Sequence, residues 1–264
     1  MMIFLVMGFV LLAVASVDFL LTTIGTGTSG PLSRRVAAAT FAMIRRLPFH
    51  YLAHRTAGVF VMTVLGVTWI ALFGIAWFLI FRSHPEAVVM AQTEKTAGSA
   101  LVFSHIGHLL STVGGGITQP GNWVWAALSV FVGINGMVVL TLSVSFVLTT
   151  TQAVTHGRAL LTLAEASNLK GRGLPEPVLS ALSALTSEFR SVPLALYYSA
   201  KRPARRVPYG LFKLYTHPDI GDEGRAQMRV LLEELPGMTQ ADDETFAQAL
   251  EKWYRRFDLE ADPR

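Results

Sequence analysis

Apolar residues gather into long uninterrupted blocks in the first half of the chain and into spaced stripes in the second. Residues 2–24 form one block, broken only by Asp18. Residues 57–81 form a second, with no charged side chain, and residues 122–149 form a third. Each is long enough to cross a hydrocarbon core of about 30 Å as a helix. A fourth apolar stretch, 99–112, is too short to span, and segments of roughly 10–14 residues suit a re-entrant helix instead. It runs into Ser111-Thr112-Val113-Gly114-Gly115-Gly116.

The second half reads as helices of a water-facing unit. Pro175 and Pro177 precede a helix over about 178–199. Pro203 and Pro208 then break the pattern. A further helix covers about 222–234 and stops at Pro236-Gly237. The last helix starts near Asp242, a favourable N-cap. Its apolar face carries Phe246, Leu250, Trp253 and Phe257. Arg255 and Arg256 occupy its final turn, where the helix dipole favours cations. Between the first two blocks, Pro31 to Leu47 reads as a surface helix, with Pro31 in its first turn and a partial stripe of Val36, Thr40, Ile44 and Leu47. Its arginines either meet anionic headgroups or belong to a plain linker helix.

Composition sharpens the division. The 264 residues are 52% hydrophobic and only 15% charged, against about 25% charged in soluble domains. Asp18, Glu86 and Glu94 are the acids of residues 1–150, whereas 151–264 hold fifteen acids and fifteen Lys or Arg. This predicts an all-α integral membrane protein in three parts. Residues 1–56 supply an N-terminal transmembrane helix and a cytoplasmic linker helix. Residues 57–150 supply two spans around a re-entrant loop. Residues 151–264 form a helical cytoplasmic domain.

The linker 25–56 carries Arg34, Arg35, Arg45, Arg46 and Arg55 and no acid. That bias places it in the cytoplasm. The N-terminus and 82–121 then face outside, and the tail is cytoplasmic, in a multi-pass protein of the cell membrane. Ala13-Val14-Ala15 has the look of a signal-peptide cleavage site, but no basic segment precedes it. The net charge of +4 comes without a basic run interleaved with aromatics, so nucleic acid is not an expected partner. With no cysteine there is no disulfide and no thiolate chemistry.

The glycine run has two readings on its own residues. Carbonyls replace an ion's hydration shell when consecutive residues aim them at one axis. Glycine reaches the required alternate backbone angles without steric cost, and Gly114 and Gly116 have the alternation. A simple glycine turn between two apolar helices is the other reading. His105 and His108 lie three apart, on one helix face. Two imidazoles without a third ligand do not make a metal site. Trp123 and Trp125 suit interface anchors, and Trp69 and Trp77 suit packing. Asp18, near the cytoplasmic end of its span, suits a structural role beside Arg34 or water. Ser143, Ser145, Thr149, Thr150 and Thr151 either line an inner mouth or bond back to their helix.

The order of these pieces resembles the pore module of potassium channels. An outer helix (57–81), a turret (82–98), a pore helix (99–111), the filter-like Thr112-Val113-Gly114-Gly115-Gly116 and an inner helix (122–149) follow one another as in that family. Val17-Asp18-Phe19-Leu20-Leu21-Thr22-Thr23 and Gly30-Pro31-Leu32-Ser33-Arg34 resemble a bacterial subgroup with one extra N-terminal span. The resemblance implies a homotetramer in membrane lipid that passes potassium or another monovalent cation, with no cofactor and no enzymatic step. It implies filter residues Thr112 to Gly116, filter support from His108 and Ser111, and an inner-helix hinge at Gly133 and Gly136. Gly115 stands where the family pattern has an aromatic, and Ile117 where it has an acid. The expectation is therefore a cation channel with weakened potassium selectivity. The alternative is a non-conducting homologue acting as a membrane scaffold or regulatory subunit.

Overall fold

The computed structural model describes residues 2–24, 27–46, 50–114, 116–170, 173–238, 242 and 245–260, with backbone only at 50–52. Its helices are α1 (Met2–Thr23), α2 (Pro31–Arg45), α3 (His50–Arg82), α4 (Ser99–Leu110), α5 (Trp123–Ala166), α6 (Glu176–Ser191), α7 (Val207–Tyr215), α8 (Asp222–Leu232) and α9 (Phe246–Arg255). Two short strands, β1 (Val88–Met90) and β2 (Thr118–Pro120), pair antiparallel. Three helices, α1, α3 from Ala53 and α5, are long and apolar enough to cross a membrane. The residues divide into two compact units. One holds Met1–Ile24 and Leu65–Phe146, and the other Gly25–Val64 and Val147–Arg264.

The first unit is built on aromatic packing. Phe19 of α1 sets its ring edge-on to Trp69 and Phe73 of α3, at 5.0 and 5.8 Å between centroids. Edge-to-face pairs of this kind add about 0.5–1.5 kcal/mol to simple burial. Trp77, Ile80, Phe81, Val102, Ile106, Trp125 and Val132 form the core around α4. Trp69 and Trp77 are buried, as packing residues should be. Trp123 is exposed, whereas Trp125 departs from the anchor role. It packs 5.1 Å from the Phe81 ring, because α5 turns that side of its first turn onto α3. Asp18 is also buried in this unit.

The strand pair has no counterpart in the apolar pattern. Val88 lies opposite Pro120, Val89 opposite Gln119 and Met90 opposite Thr118. Three residues per strand are too few for a period-2 signal to stand out.

In the second unit, α5 continues to Ala166, well past the apolar block. Hydropathy fades after residue 149, but Ala153, Val154, Leu160, Leu161 and Ala164 remain buried on one face of the same helix. They join Val178, Leu182, Leu185 and Phe189 of α6, Leu211 of α7 and Phe246, Leu250 and Trp253 of α9 in one core. The helix expected over 178–199 stops at Ser191 and resumes as a short 3-10 helix, Pro193–Tyr197. Pro193 has no N–H to donate and disfavours helical angles at the residue before it. The last helix begins at Phe246 rather than near Asp242. Thr245 N–H instead closes a turn on the Asp242 carbonyl at 3.0 Å. Phe246, Leu250 and Trp253 are buried and Phe257 is half-buried, so the expected face is in place. Leu47 lies outside the described residues. The rest of that linker helix joins this unit, with Phe41 5.2 Å from Tyr197. Arg45 donates to the carbonyls of Arg255 and Arg256 at the end of α9, where the dipole is negative.

One buried cation organises the polar side of this unit. Arg206 is almost fully enclosed. It donates to Asp258 at 3.1 Å, to both carboxylate oxygens of Glu260 at 2.8 and 3.0 Å, and to the Ala200 carbonyl at 2.9 Å. Its guanidinium holds the Glu260 carboxyl down to about 2.

Two outcomes follow. Trp253 is 1% exposed and donates its indole N–H to the Pro236 carbonyl at 2.9 Å. Trp253→Ala is expected to cost about 3–5 kcal/mol, read as a lowered unfolding temperature. A carboxyl depressed in the folded state stabilises above its unfolded value, near 4.5, and that contribution disappears as pH falls toward 2. Wild-type protein should therefore lose stability between those pH values. Glu260→Gln should show a flatter slope, with a difference near or below about 1 kcal/mol because Glu260 is half exposed.

Candidate functional site

The end of α4 and the loop after it carry the chemistry that the glycine run implies. α4 is a twelve-residue apolar helix. Its last turn closes with Ser111 N–H donating to the Gly107 carbonyl at 3.0 Å, Thr112 N–H to Leu109 at 3.1 Å and Val113 N–H to His108 at 3.1 Å. The Ser111 hydroxyl also donates to the His108 carbonyl, at 3.2 Å. The chain then leaves the helix through left-handed backbone at Thr112, with φ 58°, and at Gly114, with φ 90°. The alternation is thus present, but it falls on Thr112 and Gly114. Gly116, expected to share it, is not at positive φ. A threonine in this region is strained by about 1–3 kcal/mol, held here by the two turn bonds before it. Gly115 lies outside the described residues.

Thr112, Val113, Gly114, Gly116 and Ile117 are all exposed, Val113 at 76%. The loop thus presents backbone and two apolar side chains on the surface of its unit. His108 is half-buried, and its ring lies against the far side of the loop. A Cβ built on Gly116 would sit 3.1 Å from His108 Cε1 and 3.3 Å from Nδ1. His108 and Ser111, the two support candidates, both touch the loop or the turn that opens it.

His105 separates from His108 in role. It is 1% exposed, and its Nδ1 shares a hydrogen bond with Thr118 Oγ1 at 3.0 Å. Its Nε2 has no partner. The bond ties the middle of α4 to β2, so the return strand is fixed to the helix that precedes the loop. No group of three or more metal-ligating side chains occurs among the described residues.

The hinge candidates also separate. A Cβ on Gly136 would meet the Leu110 carbonyl oxygen at 2.1 Å and the Leu110 carbonyl carbon and Cα at 2.8 Å. The end of α4 therefore rests directly on the backbone of α5 at this residue. A Cβ on Gly133 would meet only the Leu109 carbonyl oxygen, at 3.9 Å. α5 runs unbroken through both. One residue before Gly136, Asn135 accepts a hydrogen bond from the Trp77 indole at 3.1 Å. Asn135 and Thr118 were not singled out from the sequence. Asn135 was findable as an amide inside an apolar span, where an unsatisfied polar group is costly. Thr118 carried no such signal.

No family model matches the chain, and no solved structure matches it. The chain is similar to the uncharacterized membrane protein YdjJ of Bacillus subtilis (strain 168), at 26% identity over 158 residues. Those residues are 59% of this chain and 46% of the relative, so the chain spans about half the length of the curated relative it matches. Three apolar helices of spanning length and a membrane-protein relative together support a helical membrane protein.

The Gly136 contact leaves no space for a methyl group, and overpacking typically costs about 1–3 kcal/mol. Gly136→Ala is expected to lower the unfolding temperature of the detergent-solubilised protein, and Gly133→Ala to leave it nearly unchanged. Equal effects would remove the special role of Gly136.

Proposed function

We propose that the chain is one subunit of a passive cation channel of the potassium-channel type, with a weakened preference for potassium. The observation that carries this reading is the backbone after α4. A helix too short to span ends in an exposed loop with left-handed angles at Thr112 and Gly114. Such backbone can turn successive carbonyls toward an axis and substitute for a hydration shell. One loop per chain supplies a quarter of a ring, so the assembly is a homotetramer in the cell membrane, with its N-terminus outside and its tail cytoplasmic. Four copies meeting at 111–117 would also cover the exposed Val113 and Ile117. The permeant ion is potassium or another monovalent cation, and no covalent step is involved.

Selectivity rests on how firmly the loop is held or on the field of its carbonyls. His108 behind Gly116 and the His105–Thr118 bond brace it. Gly115 removes the aromatic that the family pattern places there, and Ile117 replaces its acid. Those two residues favour a second reading, a non-conducting membrane scaffold or regulatory subunit.

Flux from liposomes containing the purified protein separates the two, with potassium and sodium compared. The channel reading expects flux of both ions with a modest potassium preference. Gly115→Tyr with Ile117→Asp should sharpen that preference, and Thr112→Ala should weaken ion block from the inner side. No flux in wild type or either variant, at any voltage or pH tried, would hand the case to the scaffold. Crosslinking in detergent that stopped at dimers would overturn the fourfold assembly.

A further inference from the structure

The unit formed by Gly25–Val64 and Val147–Arg264 contains a cavity of about 380 Å³ with a one-sided lining. Arg55 reaches it from the start of α3 and Arg158 from α5. Lys201, Arg202 and Arg205 reach it from the irregular segment before α7. The polar wall is completed by Ser199 and His54, and among the described residues no carboxylate lines it.

Five cations around one space repel one another unless something negative lies between them. The fold holds two of them in place through neutral acceptors. Arg158 donates to the Ser199 carbonyl at 3.0 Å, and Arg205 donates to the Thr162 hydroxyl. Arg158 Nε is buried with no hydrogen-bond partner. The carboxylates beside the His54 wall are taken. Glu260 bonds to Arg206 and to His54 Nε2, and Asp258 bonds to Arg206. His54 turns its other nitrogen to Ser199 Oγ at 2.8 Å. The cavity thus has guanidinium forks held at Arg158 and Arg205, exposed cations at Arg55, Lys201 and Arg202, and, among the described residues, no carboxylate in its lining.

We propose that this cavity binds a ligand bearing a phosphomonoester or pyrophosphate group. Guanidinium forks match phosphate oxygens in pairs, and several cations call for an anion of more than one charge. The volume suits a small phosphorylated group rather than a polymer. Among the described residues the lining has no Phe, Tyr or Trp ring on which a base would stack. Arg55 stands just before the uncharged stretch of α3, the kind of position from which cations reach anionic headgroups. A soluble phosphate ester and a phosphatidic acid headgroup present the same chemistry. The site is independent of whether the chain conducts ions.

The test uses the full chain in uncharged detergent. Pyrophosphate binding is measured by titration calorimetry. Retention of phosphatidic acid against phosphatidylcholine is counted by native mass spectrometry. Saturable pyrophosphate binding that weakens at least tenfold in Arg55→Gln/Arg202→Gln, but not in the exposed control Lys170→Gln, supports a soluble ligand. Selective retention of phosphatidic acid, lost in the same double variant, supports a headgroup. Lys201→Gln/Arg202→Gln serves as a second pair if the first unfolds. Absence of both kinds of binding in wild type, or binding undiminished in folded variants, overturns the proposal.

Discussion

The first unit depends on a contact between two backbones. The carbonyl of Leu110, at the end of α4, sits where a side chain on residue 136 of α5 would have to be. Among apolar helices in lipid there is little hydrophobic force to bring them together, so close approach at small residues supplies the attraction. Everything at the loop inherits its position from this point. The Trp77–Asn135 bond lies one residue away and holds α3 to the same level of α5. Past the loop, β2 is fastened to β1 by pairing and to α4 by the His105–Thr118 bond. The loop is therefore held at both ends while residues 111–114, 116 and 117 stay exposed.

The second unit rests on different physics. Its core is a broad apolar cluster from five helices, and its polar side is arranged around buried Arg206. A buried guanidinium without partners would cost several kcal/mol. Here Asp258, Glu260 and the Ala200 carbonyl satisfy it. The same arrangement removes two carboxylates from the neighbourhood of the basic cavity and leaves that cavity positive.

Much of this was legible in the residues. Blocks of apolar residues longer than a bilayer announce helices whatever their neighbours, so 57–81 lies inside an observed helix and 2–24 and 122–149 match observed helices to within one residue at an end. The stripe Phe246, Leu250, Trp253 found its core because a 3.6-residue period has one face to bury. Less legible were features with short or distant causes. The strand pair 88–90 and 118–120 is too brief to leave a period. Trp125 has the composition of an interface anchor, and only the direction of its helix turn sends it inward. The left-handed φ at Thr112 rather than Gly116 follows from turn bonds to Leu109 and His108, which no residue type prescribes.

By itself the sequence determined the apolar helices, the charged second half and the place of the glycine loop between a short helix and a long one. These follow from transfer energies and backbone freedom, which belong to each residue. The tertiary structure alone decided which glycine is sterically required, which histidine is buried and which arginines share a cavity. Those outcomes depend on distances between residues such as Gly136 and Leu110, or Arg55 and Arg202. Such distances are set by how whole helices pack, and local sequence carries no record of them.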